Sequence, residues 1–328
     1  MFIDSFGRQI SYLRLSITDR CNLYCRYCMP LAGARKSSHS EILRYEELLR
    51  IVRVSSSHGI KKVRITGGEP LFRRGVVSFL DMLGRVDGLE EIGLTTNGVL
   101  LAEMFDGIYG AGIRKVNVSL DTLDPAKYKE ITSQPCWGEV WKGIQRALTA
   151  RDMTVKINVV VMKGINDDEI ESFVRLAREY PFQVRFIEFM PIGCGSRWSK
   201  ERYFPGDEVL QRLRRTGDLI QIPKKENAGP AVVYKLSGGA GEVGLITPVS
   251  NSFCNSCNRM RITPDGRLRM CLFSDDELDL KKALRSDIGD DDVLSFLKEA
   301  VKRKPPSHTG PATDHFLSCH RQMSQIGG

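Results

Sequence analysis

A chain of 328 residues with 41% hydrophobic and 27% charged side chains can bury a sizeable core, as one large α/β domain with an appendage or as two domains, and is not disordered. Residues 1–8 hold no apolar run fit for a signal peptide and no stretch approaches a membrane span, so the expected compartment is the cytoplasm, where the nine cysteines are reduced thiols or metal ligands. The net charge of +8 is spread along the chain, with only short runs such as Lys224-Lys225 and Lys302-Arg303-Lys304, and suits a free nucleotide as well as a nucleic acid.

Residues 12–17 alternate so that Leu13, Leu15 and Ile17 share a face, which predicts a strand leading into a cysteine-rich loop. A helix follows over 45–58, with Leu48, Leu49 and Val52 at helical spacing and Gly59 as its stop. The cadence then repeats: strand 62–66 and helix 76–85, strand 91–95 and helix 101–111, strand 116–120 and helices within 125–150, strand 154–161 and helix 167–180, strand 183–189. Six strands alternating with helices call for a parallel sheet, in a partial barrel or an open doubly wound arrangement, with ligands at the C-terminal strand ends. Beyond Phe189 the pattern changes to a loop at Pro191-Ile192-Gly193-Cys194-Gly195, a helix near 205–215, β-like segments at 231–236 and 242–246, a helix from Asp290 to about Arg303, and a loop-rich tail. The expected division is residues 1–190 and a C-terminal extension over 191–328.

Cys21, Cys25 and Cys28, spaced C-x3-C-x2-C, can hold three irons of a [4Fe-4S] cube and leave the fourth open to a small molecule. Zinc is the competing occupant on spacing alone, although closed zinc sites take four protein ligands. Thr66-Gly67-Gly68-Glu69-Pro70 ends the second strand, where paired glycines let backbone approach a ligand and a carboxylate is available to an ammonium group. The next strands end in Thr95-Thr96-Asn97-Gly98 and Ser119-Leu120-Asp121, so small polar residues gather at the rim that carries the cysteine loop. A second triad, Cys254, Cys257 and Cys271, lies in the extension; a zinc reading would need His308, His315, Cys319 or Cys194 as fourth ligand. The remaining cysteines, Cys136, Cys194 and Cys319, read as structural or surface thiols.

The first triad together with Gly67-Gly68-Glu69-Pro70 resembles the radical S-adenosylmethionine superfamily, which implies a partial (β/α)6 TIM-type barrel whose open cluster iron chelates the methionyl group of the cofactor. With the second triad, Arg259-Met260-Arg261 and the terminal Gly327-Gly328, the chain resembles the GTP 3′,8-cyclase family of lyases, which open molybdenum cofactor biosynthesis. The resemblance implies two [4Fe-4S] clusters, on Cys21, Cys25 and Cys28 and on Cys254, Cys257 and Cys271, the second binding guanine. It implies abstraction of the ribose 3′ hydrogen by a 5′-deoxyadenosyl radical and attack of C3′ on guanine C8. It places S-adenosylmethionine at Tyr27, Gly68, Ser119 and Met190, GTP at Arg14, Arg64, Thr95, Lys156, Arg259, Met260 and Arg261, and a tail in the active site at Gly327 and Gly328. The basic residues among these serve a triphosphate only if they point inward, where burial without an anionic partner is costly. As partners it implies a flavodoxin- or ferredoxin-like electron donor, cyclic pyranopterin monophosphate synthase as receiver of the product and a second copy in a homodimer, with no nucleic acid and no membrane.

Overall fold

The computed structural model describes residues 1–28, 36–193, 197–224, 228–286, 288–308 and 319–327. A short hairpin of β1 (Phe2–Ile3) and β2 (Gln9–Ile10) precedes β3 (Tyr12–Ser16). The repeat follows: α1 (Tyr45–Ser56), β4 (Lys62–Thr66), α2 (Val76–Gly84), β5 (Glu91–Thr96), α3 (Leu101–Gly110), β6 (Lys115–Ser119), α4 (Pro125–Thr132), α5 (Trp137–Leu148), β7 (Thr154–Val161), α6 (Ile170–Glu179) and β8 (Gln183–Glu188). β3 to β8 are parallel neighbours in chain order, the partial (β/α)6 barrel that the resemblance implies and one of the two arrangements the alternation allows. The helical stretch expected over 125–150 is two helices, separated where Ser133 takes φ +62°.

Period two sets the barrel's chemistry. On β4 the side chains of Val63 and Ile65 are buried in the core, while Lys62, Arg64 and Thr66 line the interior cavity. β7 repeats this with Val155, Ile157 and Val159 in the core against Lys156 and Asn158 on the cavity, and β8 with Val184 and Phe186 against Gln183 and Arg185. The helices contribute the opposing apolar faces, Leu48, Ile51 and Val52 on α1 and Ile170, Phe173, Val174 and Ala177 on α6 among them.

The extension joins both edges of this sheet instead of standing beside it. After α7 (Gly206–Arg215), β9 (Leu219–Ile222) and β10 (Val232–Leu236) lead to β11 (Glu242–Ile246), which pairs parallel with β8. β12 (Arg259–Ile262) crosses to the other edge and pairs parallel with β3, followed outward by β13 (Arg267–Arg269) and β14 (Leu278–Asp279). The chain then forms α8 (Leu280–Arg285), α9 (Asp290–Lys302) and a last turn, α10 (Met323–Ile326). β12 to β14 are short and charged, and the alternation rule that found the barrel strands does not find them. Among the described residues no helix is long and apolar enough to cross a membrane.

Candidate active site

The barrel interior is a cavity of about 990 Å3, lined by both cysteine triads and by the polar set of the parallel strands. The first triad sits in the loop after β3, and the end of α4 fixes that loop by accepting Tyr24 N at Thr132 O and Arg26 N at Ile131 O, both at 2.9 Å. Cys21 Sγ accepts from Leu23 N at 3.4 Å and Asn97 Nδ2 at 3.7 Å. Burial pushes the Cys21 thiol up to about 11 and, with the charge of Cys21 added, Cys28 up to about 12; burial and the Cys28 charge raise Cys25 as well. Three half-buried thiols within one another's fields resist losing protons to water but lose them readily to a cationic metal centre, so the donor set fits an iron-sulfur group.

Glu69 is held by the protein itself. Its side chain is 1% exposed; Oε1 accepts from Leu71 N at 3.0 Å and Thr96 Oγ1 at 2.7 Å, and Oε2 from Asn97 N at 2.6 Å. Both oxygens take part in tying the β4 turn to the end of β5, and through Asn97 to Cys21, and the side chain does not itself line the cavity, so Glu69 acts here as a structural tie. The glycine pair likewise packs on protein: Gly68 N donates to Thr18 O at 2.6 Å, and a Cβ at Gly68 would lie 2.5 Å from Arg20 O. Gly68 also lines the cavity, as do Tyr27, Ser119 and Met190. Tyr27 Oη donates to Asp121 Oδ2 at 2.7 Å, and Asp121 Oδ1 accepts from Val160 N at 2.8 Å, which holds the ring beside the triad. Burial raises the Asp121 carboxyl to about 6.

At the other end, strand register collects the cations. Arg261, Arg14 and Arg64 are direct partners across β12, β3 and β4, and Thr95, Asn117 and Lys156 across β5, β6 and β7. Because paired residues of parallel strands share a face, each row points into the cavity together. Arg14, Arg64, Thr95, Lys156, Arg259 and Arg261 all line it, which settles the inward orientation the sequence left open. Met260 does not: lying between two inward arginines, it faces the opposite side and is fully buried in the core against β3, so its side chain is no ligand contact.

This wall is short of counter-charge. Arg64 is 2% exposed, donating to Tyr12 Oη at 3.2 Å and Leu94 O at 3.1 Å, with Glu91 3.6 Å away. Glu91 also pairs with Lys62 at 2.7 Å and with Lys115, and although burial opposes it, these cations hold its carboxyl down to about 2. Burial and then Arg185 and Arg64 depress Lys156 to about 7, while Arg64, Arg14 and Lys62 outweigh burial and bring the Tyr12 phenol to about 7. Thr95 Oγ1, Asn117 Oδ1, Asn158 Oδ1 and Arg261 Nη1 are buried with no hydrogen-bond partner among the described residues. Depressed cations and orphaned polar atoms on one wall are what an absent polyanion leaves behind. Lys62, Tyr12 and Arg185 belong to this wall and were passed over in the sequence, although each occupies an inward position on its strand.

The second triad brackets β12 and β13. Cys254 and Cys257 precede β12, and Cys271 follows β13; all three line the cavity. Cys254 Sγ stands 3.0 Å from His308 Nδ1, and His308 Nε2 donates to Pro248 O at 2.7 Å. Against burial, the charges of Arg259 and Lys304 lower Cys257 to about 6. No group of three His, Cys, Asp or Glu side chains among the described residues is gathered as one metal ion would require, whereas a four-iron cube spreads its thiolates over separate corners. Cys136 and Cys319 do not line the cavity; Cys319 is buried against Ile192 and Ile326. Cys194 and His315 lie outside the described residues.

The C-terminal tail returns to the first triad. Arg321 pairs with Asp265 and Glu277, Met323 and Ser324 line the cavity, and the Ser324 backbone hydrogen-bonds the Cys28 thiol. Gly327 has φ +82°, and a Cβ there would lie 2.5 Å from Thr66 Oγ1 and 2.6 Å from Ser16 Cβ. Gly328 is outside the described residues.

A six-stranded partial barrel with a C-x3-C-x2-C loop after its first strand and a large cavity at the strand ends defines the class: this is a radical S-adenosylmethionine enzyme, which implies a [4Fe-4S] cluster and S-adenosylmethionine. The Radical SAM superfamily matches residues 15–177, and the family described as Molybdenum Cofactor Synthesis C matches residues 182–310. The chain is 47% identical over 328 residues to GTP 3′,8-cyclase of Moorella thermoacetica and 47% identical over 330 residues to that of Thermodesulfovibrio yellowstonii, covering 99% of each chain in both cases. It belongs to the GTP 3′,8-cyclase family. Among solved structures, Streptococcus suis SuiB bound to S-adenosylmethionine has TM-score 0.58 at 14% identity, covering 88% of this chain and 66% of that one, just under two thirds of its length. SuiB bound to its precursor peptide SuiA has TM-score 0.61 at 15% identity, covering 90% and 67%; at these identities the likeness is one of fold.

Proposed function

We propose that this chain cyclises GTP to (8S)-3′,8-cyclo-7,8-dihydroguanosine 5′-triphosphate, the first step of molybdenum cofactor biosynthesis. The observation that carries the reading is the sharing of one cavity by two thiol triads and a wall of buried cations with too few carboxylates. Cys21, Cys25 and Cys28 hold the first cluster, and Cys254, Cys257 and Cys271 hold a second one that receives guanine. When bound, the first cluster and S-adenosylmethionine would supply a 5′-deoxyadenosyl radical to take the ribose 3′ hydrogen, so that C3′ could bond to guanine C8, with one electron from the reductant and one proton quenching the base radical.

The chain's own residues bind and orient. Arg14, Arg64 and Arg261, in one register row, clamp the triphosphate with parallel guanidinium donors, and Lys156 adds a point charge from across the barrel. Thr95 and Arg259 complete the substrate side, and Tyr27, Gly68, Ser119 and Met190 cradle the methionyl and adenosyl parts of the cofactor. Gly327 brings side-chain-free backbone to the ends of β3 and β4, and with Gly328 it serves to exclude water and position the ribose. On the family resemblance the reading extends to residues 1–190 as the radical barrel and 191–328 as the substrate-binding extension, a flavodoxin- or ferredoxin-like electron donor, transfer of product to cyclic pyranopterin monophosphate synthase, a homodimer and the cytoplasm.

Anaerobic incubation with GTP, S-adenosylmethionine and a reductant should consume GTP only when all three are present and yield a product isomeric with GTP, the hydrogen lost from C3′ to 5′-deoxyadenosine being made up by one electron from the reductant and one proton. Reconstituted protein should carry about eight irons. Saturation near four irons, or GTP left intact in the complete mixture, overturns the reading.

A further inference from the structure

Lys304 is 3% exposed, a burial that a lone ammonium does not survive without compensation. Its Nζ donates to Arg259 O at 2.8 Å and Met270 O at 2.6 Å. Among the described residues, the anionic groups that act most strongly on it are the thiols of Cys257 and Cys271. Both carbonyls belong to the backbone that carries those cysteines: Arg259 lies two residues after Cys257, and Met270 directly precedes Cys271. A single ammonium therefore pins the two limbs of the second triad to each other.

The segment that delivers Lys304 is itself anchored at the triad. Arg8, held by Asp4 through Nε to Oδ2 at 2.6 Å, donates from Nη1 to Cys254 O at 2.8 Å and Pro306 O at 2.9 Å, and from Nη2 to Pro305 O at 2.6 Å. The bare Lys302-Arg303-Lys304 run thus contains one residue of a different kind from its neighbours, since Lys302 and Arg303 pair with Glu299 and Asp276 at the surface.

We propose that Lys304 is the positioning residue and the buried counter-charge of the second cluster, joining the limbs that carry Cys257 and Cys271 and setting the cluster's potential. The inference rests on the proposed second cluster. A positive charge beside a cluster favours the reduced, more negative state, so its removal lowers the potential; the lever is net charge and hydrogen bonding at the sulfurs, not a change of ligand.

The test uses the full chain with Cys21, Cys25 and Cys28 all replaced by alanine, so that iron reports the second triad alone. This parent should hold about four irons after anaerobic reconstitution. K304M should shift the oxidised-to-reduced ratio of that cluster at fixed poise by tenfold or more toward oxidised, about 59 mV for one electron, followed by EPR-monitored redox titration. K304R, which keeps the charge, should recover most of the shift. An unchanged potential in K304M overturns the proposal, as does a K304R shift equal to that of K304M. If K304M holds no cluster, a K304R protein loaded at the parent potential supports the role and an equally empty K304R refutes it. A parent that binds no iron overturns the second cluster itself and the proposal with it.

Discussion

Loading this cavity with a triphosphate should take up protons, and Lys156 sets the size of the effect. Its ammonium is depressed to about 7 in the free protein, by burial first and then by Arg185 and Arg64. A bound polyanion relieves the repulsion and returns the group toward the ordinary lysine value near 10.4. Between these values the free site has lost a proton that the ligated site keeps, so affinity falls as pH rises. Half of the free sites are protonated at pH 7 and about one in a hundred at pH 9, which makes binding about 50-fold weaker at pH 9 through this residue alone, about 2.3 kcal/mol. Titration calorimetry of GTP into the cluster-loaded protein near pH 8.5, in buffers of different ionisation heat, counts the protons directly. Wild type should take up close to one proton more than K156M, and K156M should lose its share of the pH slope. Equal uptake by the two proteins would refute the assignment of Lys156 to the polyphosphate wall.

Glu91→Gln removes the carboxylate that Lys62, Lys115 and Arg64 share; because its folded value is held near 2, the stability it contributes is present above the unfolded value near 4.5 and lost as pH falls toward 2. Denaturant melts should show E91Q less stable by about 3 kcal/mol at pH 7, with the gap closing below pH 4, while GTP binds more tightly to the more positive wall. Glu69→Gln exchanges one acceptor oxygen for an amide group that faces at least one of the three existing donors, so urea unfolding of the iron-free protein should register a loss of about 2 kcal/mol. Its iron-loaded form should also lose the Asn97 contact at Cys21, read as poorer retention of the first cluster during gel filtration. Gly327→Ala places a methyl against Thr66 and Ser16 at a φ that alanine resists, and should abolish most GTP consumption while iron content stays at the wild-type level.

The barrel was legible because its strands alternate. Val63, Ile65, Val155 and Ile157 mark one face of their strands and Lys62, Arg64 and Lys156 the other, so period two announces both the core and the cavity wall. The same rule, applied to Arg259-Met260-Arg261, separates the two arginines from Met260, a distinction that motif resemblance alone passes over. What escaped were contacts between distant parts of the chain. Glu69 looks available beside its glycines, and only the approach of Thr96 and Asn97 from the next strand end occupies it. Lys304 reads as one more surface cation until its two carbonyl partners, more than thirty residues back, are in place. The joining of the extension to both sheet edges was equally hidden, since a four-residue strand such as β12 carries no periodicity long enough to read.

That joining also fixes how far apart the two triads stand. β12 runs parallel to β3 with Arg259 level with Tyr12, so Cys257 lies below the start of β3 while Cys21 lies beyond its end at Ser16. The four steps from Tyr12 to Ser16 cover about 13 Å at a strand rise near 3.3 Å, and the two cysteines lie outside both ends of that interval. Ser11 N and Tyr12 N both donate to Asn258 O at 3.1 Å, so the residue between Cys257 and Arg259 is locked to the foot of β3 and the register cannot slip. On the proposed reading, a nucleotide held by its base at the lower triad would present its ribose toward the upper one, with Arg14, Arg64 and Arg261 at strand positions between the two levels to take the phosphates.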